Sequence, residues 1–367
     1  MINTERLIQT LTRYVACASE SGKERAFCEL LEGELSALGL TVIRDEVGGK
    51  CGSDGWNIIG SLPGEGEPIL FSAHLDTVPP GEGIEAVVEN GVIRSAGNTI
   101  LGADCKAGIA AVVEVITVLK EQGLPHRPIE VFFTICEETG LLGSKHADYT
   151  KIKSKQAVVL DAATQGEMVN RSPAMLALHV EITGKSAHAA VAPEMGIHAL
   201  KAAAAAIANI PAGRIGENSV INVANLLSPG KPNVVPEKAS FDMDMRSLDR
   251  ALLETHLEQV KAAIRAACEE VGATWEISEN WQTDVLFIPP DSPVITRLKE
   301  VYAALGVPCA VEDTFGGSDA TWLFETGGLD AINIGTGMTD VHSTDESITV
   351  ADLELLAQVV LGMAATD

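Results

Sequence analysis

Three short runs in this chain, PILFSAH, IEVFFTIC and QAVVLDAA, are apolar almost without a break. A strand with one wet face alternates apolar and polar residues, so unbroken runs of this length describe strands covered on both sides. Around them lie segments with helical spacing: ERLIQTLTRYVACA, KERAFCELLEGELSALG with Gly39 as its stop, and KAGIAAVVEVITVLKEQG with Gly123 as its terminator. Strands alternating with helices predict an α/β layer, a central sheet flanked by helices.

From about Ala174 the pattern changes. AMLALHVEITGK alternates like a half-exposed strand, and an Ala-rich helix follows around GIHALKAAAAAIANI. NSVINVANLLS and KASFDMDMRSL read as strands, DRALLETHLEQVKAAIRAACEEVG as a long amphipathic helix, and ATWEISE as a last strand. The order β-α-β-β-α-β predicts a ferredoxin-like unit. Beyond it, SPVITRLKEVYAALG and GGLDAINIG return to the α/β style. The expected organisation is a discontinuous catalytic domain, residues 1–173 and 286–367, with a lid or dimerisation domain at 174–285 inserted into it. A chain of 367 residues is long enough for both.

The net charge of −25 argues against nucleic acid as a partner, because phosphates would be repelled. The N-terminal stretch lacks the basic start and apolar core of a secretion signal, and no run approaches a membrane span. The seven cysteines are odd in number and show no CxxC spacing. That speaks against a disulfide framework and a thiolate zinc site, and predicts a reducing, cytoplasmic setting. A metal would have to sit on His, Asp and Glu.

Open α/β sheets form their sites beyond the carboxyl ends of strands. After PILFSA come His74 and Asp76; after GNTILGA comes Asp104; after VFFTIC come Glu137 and Glu138; after AVVL comes Asp161; after AINIGTGMTDV comes His342. Taken singly each has an ordinary reading: Asp104 as a helix cap, Asp161 as a turn residue, His342 as a loop histidine, the glutamate pair as a strand reaching the surface. Taken together, every strand end delivers a metal-competent side chain.

The set suits two zinc ions, with cobalt or manganese also fitting. Imidazole and carboxylate are zinc ligands, and two ions ~3.5–4 Å apart clamp nucleophile and substrate oxygen together. At that separation they repel by on the order of 20 kcal/mol at an effective dielectric of ~20, so a carboxylate must lie between them. Asp104, Glu138 and Asp161 bring three negative charges and a bridging hydroxide a fourth. Asp76, two residues past His74, is expected to hold the other imidazole nitrogen. Glu137 is then free to act as general base.

SAHLDTVPPG, LGADCKAGIAA, EETGLLGSK, VVLDA, GGSDA and DVHSTDE, in this order along nearly the whole chain, resemble the motifs of the co-catalytic dizinc exopeptidases, the family of peptidase T, carboxypeptidase G and the aminoacylases. LGADCKAG followed by EETGLLGS is most similar to the peptidase T-like branch. The resemblance implies a mixed central sheet, one zinc on His74 and Asp161, the other on Glu138 and His342, Asp104 bridging, and a cis peptide after Asp104. That branch commonly has Asp where this chain has Cys105, a change expected to be tolerated, with sensitivity to oxidation or to metal identity as its consequence.

Further matches lie in the inserted segment. GKSAHAAVAPEMGIHAL resembles the stretch whose first histidine, here His188, polarises the scissile carbonyl, in many members from the partner subunit. NVVPEKASFDMDMR places Asn233 and Arg246 as in relatives that grip a substrate carboxylate. Arg246 also has Asp242 and Asp244 as local partners, and His188 can equally be a surface residue. Gly316 and Gly317 would let the backbone approach substrate, or form an ordinary turn.

The implied function is a homodimeric exopeptidase of short peptides, a tripeptidase-like aminopeptidase, in which a zinc-bridging hydroxide attacks with Glu137 as base. An amidohydrolase of N-acyl amino acids stays open, because no amine-binding residue stands out. A non-catalytic metal- or peptide-binding relative is the third reading, and Glu137 beside five ligand candidates weighs against it.

Overall fold

A computed structural model of the chain describes residues 1–366. The chain packs as two compact units, Met1–Arg171 with Leu286–Asp367, and Ser172–Val285.

The first unit is built on a nine-stranded mixed sheet, with Ile129–Thr134, Ile69–His74, Gln156–Ala162 and Asp330–Gly335 adjacent and parallel in its middle. Asn57–Leu62 and Thr41–Asp45 extend one side antiparallel. Every residue of Ile69–His74 and Ile129–Thr134 is buried, the result expected of a sheet covered on both faces. The helix Ala103–Gln122 is buried along most of its length and packs between the sheet and the helices Thr4–Ala16 and Val350–Ala364. Gly123 ends it in the left-handed conformation at φ 61°.

Register brings the ends of these strands together. His74 stands opposite Thr134, and Ser72 opposite Val159, so two residues further on His74 and Asp161 lie level. A second, four-stranded sheet pairs Met338–Thr339 with Ser347–Thr349, and the latter with Val92–Ser95. The loop carrying His342 is the connection of that short antiparallel pair. This sheet has no counterpart in the sequence pattern, because strands of two to four residues show no usable periodicity.

The second unit is an antiparallel five-stranded sheet in the order Gly213–Ile215, Ser219–Leu227, Lys238–Ser247, Ala174–Thr183, Thr274–Thr283. Its helices, Ala199–Asn209 and Arg250–Val271, bury Leu176, Leu178, Val180, Ile182, Phe241, Met243 and Met245 beneath them. Lys238–Ser247 alternates buried and half-buried residues along its whole length, so Asp242, Asp244 and Arg246 share the other face. Asp249 caps the long helix by accepting from the Leu252 N–H, and Gly272 closes it. Gly213–Ile215 is an addition to the expected β-α-β-β-α-β order.

Candidate metal centre

His74 ends its strand with the imidazole buried. Nδ1 is 2.8 Å from the Asp76 main-chain oxygen. A carbonyl only accepts, so Nδ1 carries a hydrogen, and Nε2 is the nitrogen directed at the carboxylates. Nε2 lies 3.1 Å from Asp104 Oδ1 and 3.6 Å from Asp161 Oδ1. On the other side, His342 Nε2 lies 3.2 Å from Asp104 Oδ2 and 2.9 Å from Glu138 Oε1. The two oxygens of Asp104 therefore face two different histidines.

Asp104 and Cys105 depart from helical φ/ψ at the start of their helix, and the bond between them is cis. The Asp104 carboxylate faces the imidazoles, and the helix has no side-chain cap. Asp161 is set by its own N–H, which donates to Asn333 Oδ1 on the neighbouring strand at 3.0 Å. Glu137 and Glu138 follow a sharp turn at Cys136, whose φ is +53°.

The donor set fits metal ions. A tetrahedral zinc with bonds of about 2.0–2.1 Å spaces its ligand atoms by about 3.3 Å, in the range of the four separations above. Glu138 Oε1 is buried with no hydrogen-bond partner of good geometry, although His342 Nε2 lies 2.9 Å away, an orphaned acceptor that a cation would satisfy. His74, Asp104, Cys105 and Asp161 form one cluster of potential ligand atoms, and Asp104, Glu138 and His342 another.

Electrostatics point the same way. Burial favours neutral His74, yet Cys105, Asp104 and Asp161 outweigh it and hold its pKa well above the ordinary value. The Asp104 hydrogen bond lifts His342 to about 9. Asp161 is pushed up to about 7, chiefly by burial, with Asp104 adding repulsion. Burial, then Asp161, raises Glu137 well above the carboxylate range. Such a field calls for cations.

The expected role of Asp76 needs correction. Its carboxylate stands 3.7 Å from His74 Nδ1, and it is the main-chain oxygen that holds the ring. The carboxylate instead accepts the Glu137 N–H at 2.9 Å through Oδ1 and the Glu138 N–H at 3.2 Å through Oδ2, with the Ser21 hydroxyl at 2.7 Å. Asp76 anchors the glutamate turn. Cys105 is corrected too: it is fully buried, its thiol donates to the Leu160 carbonyl at 2.7 Å, and burial pushes its pKa far up. A thiol so placed is inert to oxidation.

Other carboxylates of the centre were not singled out from the sequence. Glu24 accepts the Cys136 N–H at 3.2 Å, continuing the anchorage begun by Asp76. Asp319, within the GGSDA motif, accepts from the Ser144 hydroxyl at 2.5 Å and from Thr134. Glu346 lies four residues beyond His342 in DVHSTDE, so that signal was inside a motif already noted. Gly316 and Gly317 are exposed and neither has a positive φ; a Cβ at Gly316 would meet Thr314 Oγ1 at only 3.4 Å.

In the second unit, His188 is exposed and its Nδ1 accepts from the Ala190 N–H at 3.2 Å. The neighbouring Ala189 N–H donates to the Asn233 carbonyl, which brings these two candidates together. The Arg246 guanidinium makes a two-pronged pair with Asp244, Nε at 2.8 Å and Nη2 at 3.0 Å.

Residues 70–366 match the family described as peptidase family M20/M25/M40. The crystal structure of aminopeptidase PepT from Bacillus cereus is 33% identical, with 99% of this chain and 98% of that one covered at a TM-score of 0.94. The structure of a tripeptidase from Staphylococcus aureus is 30% identical, with the same coverage and a TM-score of 0.96. The uncharacterized protein YqjE of Bacillus subtilis is 32% identical over 366 residues, 99% of this chain and 98% of YqjE.

Proposed function

The chain belongs to peptidase family M20/M25/M40, in its peptidase T-like branch, and is a metallopeptidase; on that premise we propose that it is an exopeptidase of short peptides, a tripeptidase-like aminopeptidase. The observation that carries the reading is the division of the Asp104 oxygens between His74 and His342, which suits a carboxylate shared by two divalent ions. His74 and Asp161 would hold one ion, Glu138 and His342 the other. When bound, such ions supply Lewis acidity and make water acidic near neutral pH.

The chain's own groups do the rest. Glu137 takes a proton from the attacking water and passes it to the leaving amine as the peptide C–N bond breaks and a C–O bond forms. Burial, then Asp161, raises its affinity for that proton above that of an ordinary carboxylate. Asp76 and Glu24 hold the backbone N–H groups of residues 136, 137 and 138, so the base is presented by an anchored turn. His188, with Nδ1 accepting, carries its hydrogen on Nε2, a donor suited to a scissile carbonyl oxygen. Asn233 and Arg246 receive the substrate carboxylate, which enters in competition with Asp244. Gly316 and Gly317 keep the substrate path open.

A homodimer forms through the second unit in this reading. Ser219–Leu227 pairs with Gly213–Ile215 only over its first residues, which leaves an edge that carries the exposed Leu226 and Leu227. Among the described residues no helix is long and apolar enough to cross a membrane, and all seven cysteines are free, in keeping with a cytoplasmic site of action.

The test is one panel of substrates for the zinc-loaded protein: free-amine di- and tripeptides beside N-acyl amino acids. Cleavage of the free-amine tripeptides is expected. Cleavage confined to acylated compounds would move the protein to the amidohydrolases, and no cleavage at all would remove the catalytic reading.

A further inference from the structure

Glu346 is 1% exposed, and its carboxylate reaches back along the chain to the start of the helix that carries Asp104. Oε2 accepts the Gly102 N–H at 2.7 Å and Oε1 the Asp104 N–H at 3.0 Å. These donors sit at a helix start, where no intrahelical acceptor exists for them, so a buried partner from elsewhere is required. One carboxylate serving both with separate oxygens fixes that segment in position and in rotation. The same residue terminates the loop of His342: the Ser343 hydroxyl donates to the Asp340 carbonyl at 2.7 Å, and the Asp345 N–H to Ser343 Oγ at 3.1 Å. The Glu346 N–H donates to the Ser343 carbonyl at 3.2 Å.

That loop needs an anchor. Asp340 and His342 both hold left-handed backbone, at φ 51° and 63°, a region that Asp and His enter more readily than most residues but that still costs more than the right-handed one. The His342 side chain is 50% exposed, so packing does not fix it. Glu346 also brings a negative charge close to Asp104, which two N–H groups alone would not demand.

We propose that Glu346 is a positioning residue that ties the His342 loop to the Asp104 backbone and thereby sets the spacing of the Asp104, Glu138 and His342 ligand atoms. The proposal rests on the two-ion reading above. Its effect falls most heavily on the ion of Glu138 and His342, because Asp104 is shared by both ions while His74 and Asp161 are held by the Asp76 main-chain oxygen and by Asn333, independently of Glu346.

The test is calorimetric zinc titration, with counting of bound metal after gel filtration, on the wild type, Glu346→Gln, His342→Ala and the double variant. The wild type should hold two ions. Glu346→Gln should weaken the second by about 10–100-fold, more than it weakens the first, as loss of a group orienting a ligand does. In the His342→Ala background it should cost less than it does in the wild type. Should Glu346→Gln fail to fold, Glu346→Asp, which withdraws the carboxylate by one methylene, must show the same unequal loss. Two ions bound at wild-type affinity would overturn the proposal. So would equal weakening of both ions with a matching drop in the melting temperature of the metal-free protein. A wild type that holds fewer than two ions would instead refute the two-ion reading beneath it.

Discussion

Removing the metal should destabilise the first unit and spare the second. Asp104, Glu137, Glu138 and Asp161 converge on His74 and His342, and a pair of carboxylates ~4 Å apart repels by about 4 kcal/mol at an effective dielectric of 20. Lys106 relieves little of this, since burial drives its pKa down to about 7 and its amine is spent on the carbonyls of Tyr14 and Cys17. Zinc held at a hundredfold over its dissociation constant adds about 2.7 kcal/mol per site, or about 5.4 for two. The first unit, with roughly 250 residues, should unfold with an entropy near 0.5 kcal/mol/K, so chelation should lower its melting temperature by about 10 °C. If the whole chain melts as one, the larger entropy reduces the shift to about 7 °C. Scanning calorimetry with and without chelator measures it. Separate transitions should show the shift in only one, as the described residues of the second unit contain no potential metal cluster. A shift below about 2 °C at saturating zinc would refute the metal-site reading.

The variant Glu137→Gln should lose about 10²–10⁴-fold in kcat while elemental analysis still finds two ions; retained turnover would remove the base assignment. Asp76→Asn leaves one acceptor for two backbone N–H groups, a cost of about 1–3 kcal/mol, yet the main-chain oxygen that holds His74 survives. Stability and kcat should therefore fall with little change in the affinity of the His74 ion, and a tenfold weaker ion in metal titration would restore the carboxylate as the group orienting the imidazole. Arg246→Ala should cut kcat/KM about 10–100-fold for peptides with a free C-terminal carboxylate and far less for their amides, the loss of a charge-assisted fork worth about 1.5–3 kcal/mol. Metal-free protein should lose stability as pH rises from about 4 to 9, measured by chemical denaturation. His342, at about 9, and Asp161, at about 7, both bind protons more tightly folded than unfolded, so their contribution is present at low pH and lost as pH climbs through those values. Zinc should reverse the trend, because its ligands bind it deprotonated.

The convergence of His74, Glu137, Glu138 and Asp161 was legible in the sequence because parallel pairing turns chain position into spatial position. Once PILFSAH, IEVFFTIC and QAVVLDAA lie in register, the polar residue that ends each run has nowhere to go but the common edge. Asp76 was misread for a reason no spacing rule removes: residue 76 offers His74 two acceptors, a carbonyl and a carboxylate, and only the turn between them decides which one the ring meets. Its carboxylate was then released to anchor the glutamates 61 and 62 residues away. Glu24 was invisible on the same ground, and GGSDA and DVHSTDE contain Asp319 and Glu346 without revealing what they hold, since the partners of the three lie 112, 175 and 242 residues distant in the chain. The candidate ligands at the strand ends thus follow from local pattern plus sheet topology. Those that hold them in place depend on tertiary approach, and in this protein they are acidic as well, so every added anchor deepens the negative potential and the demand for cations.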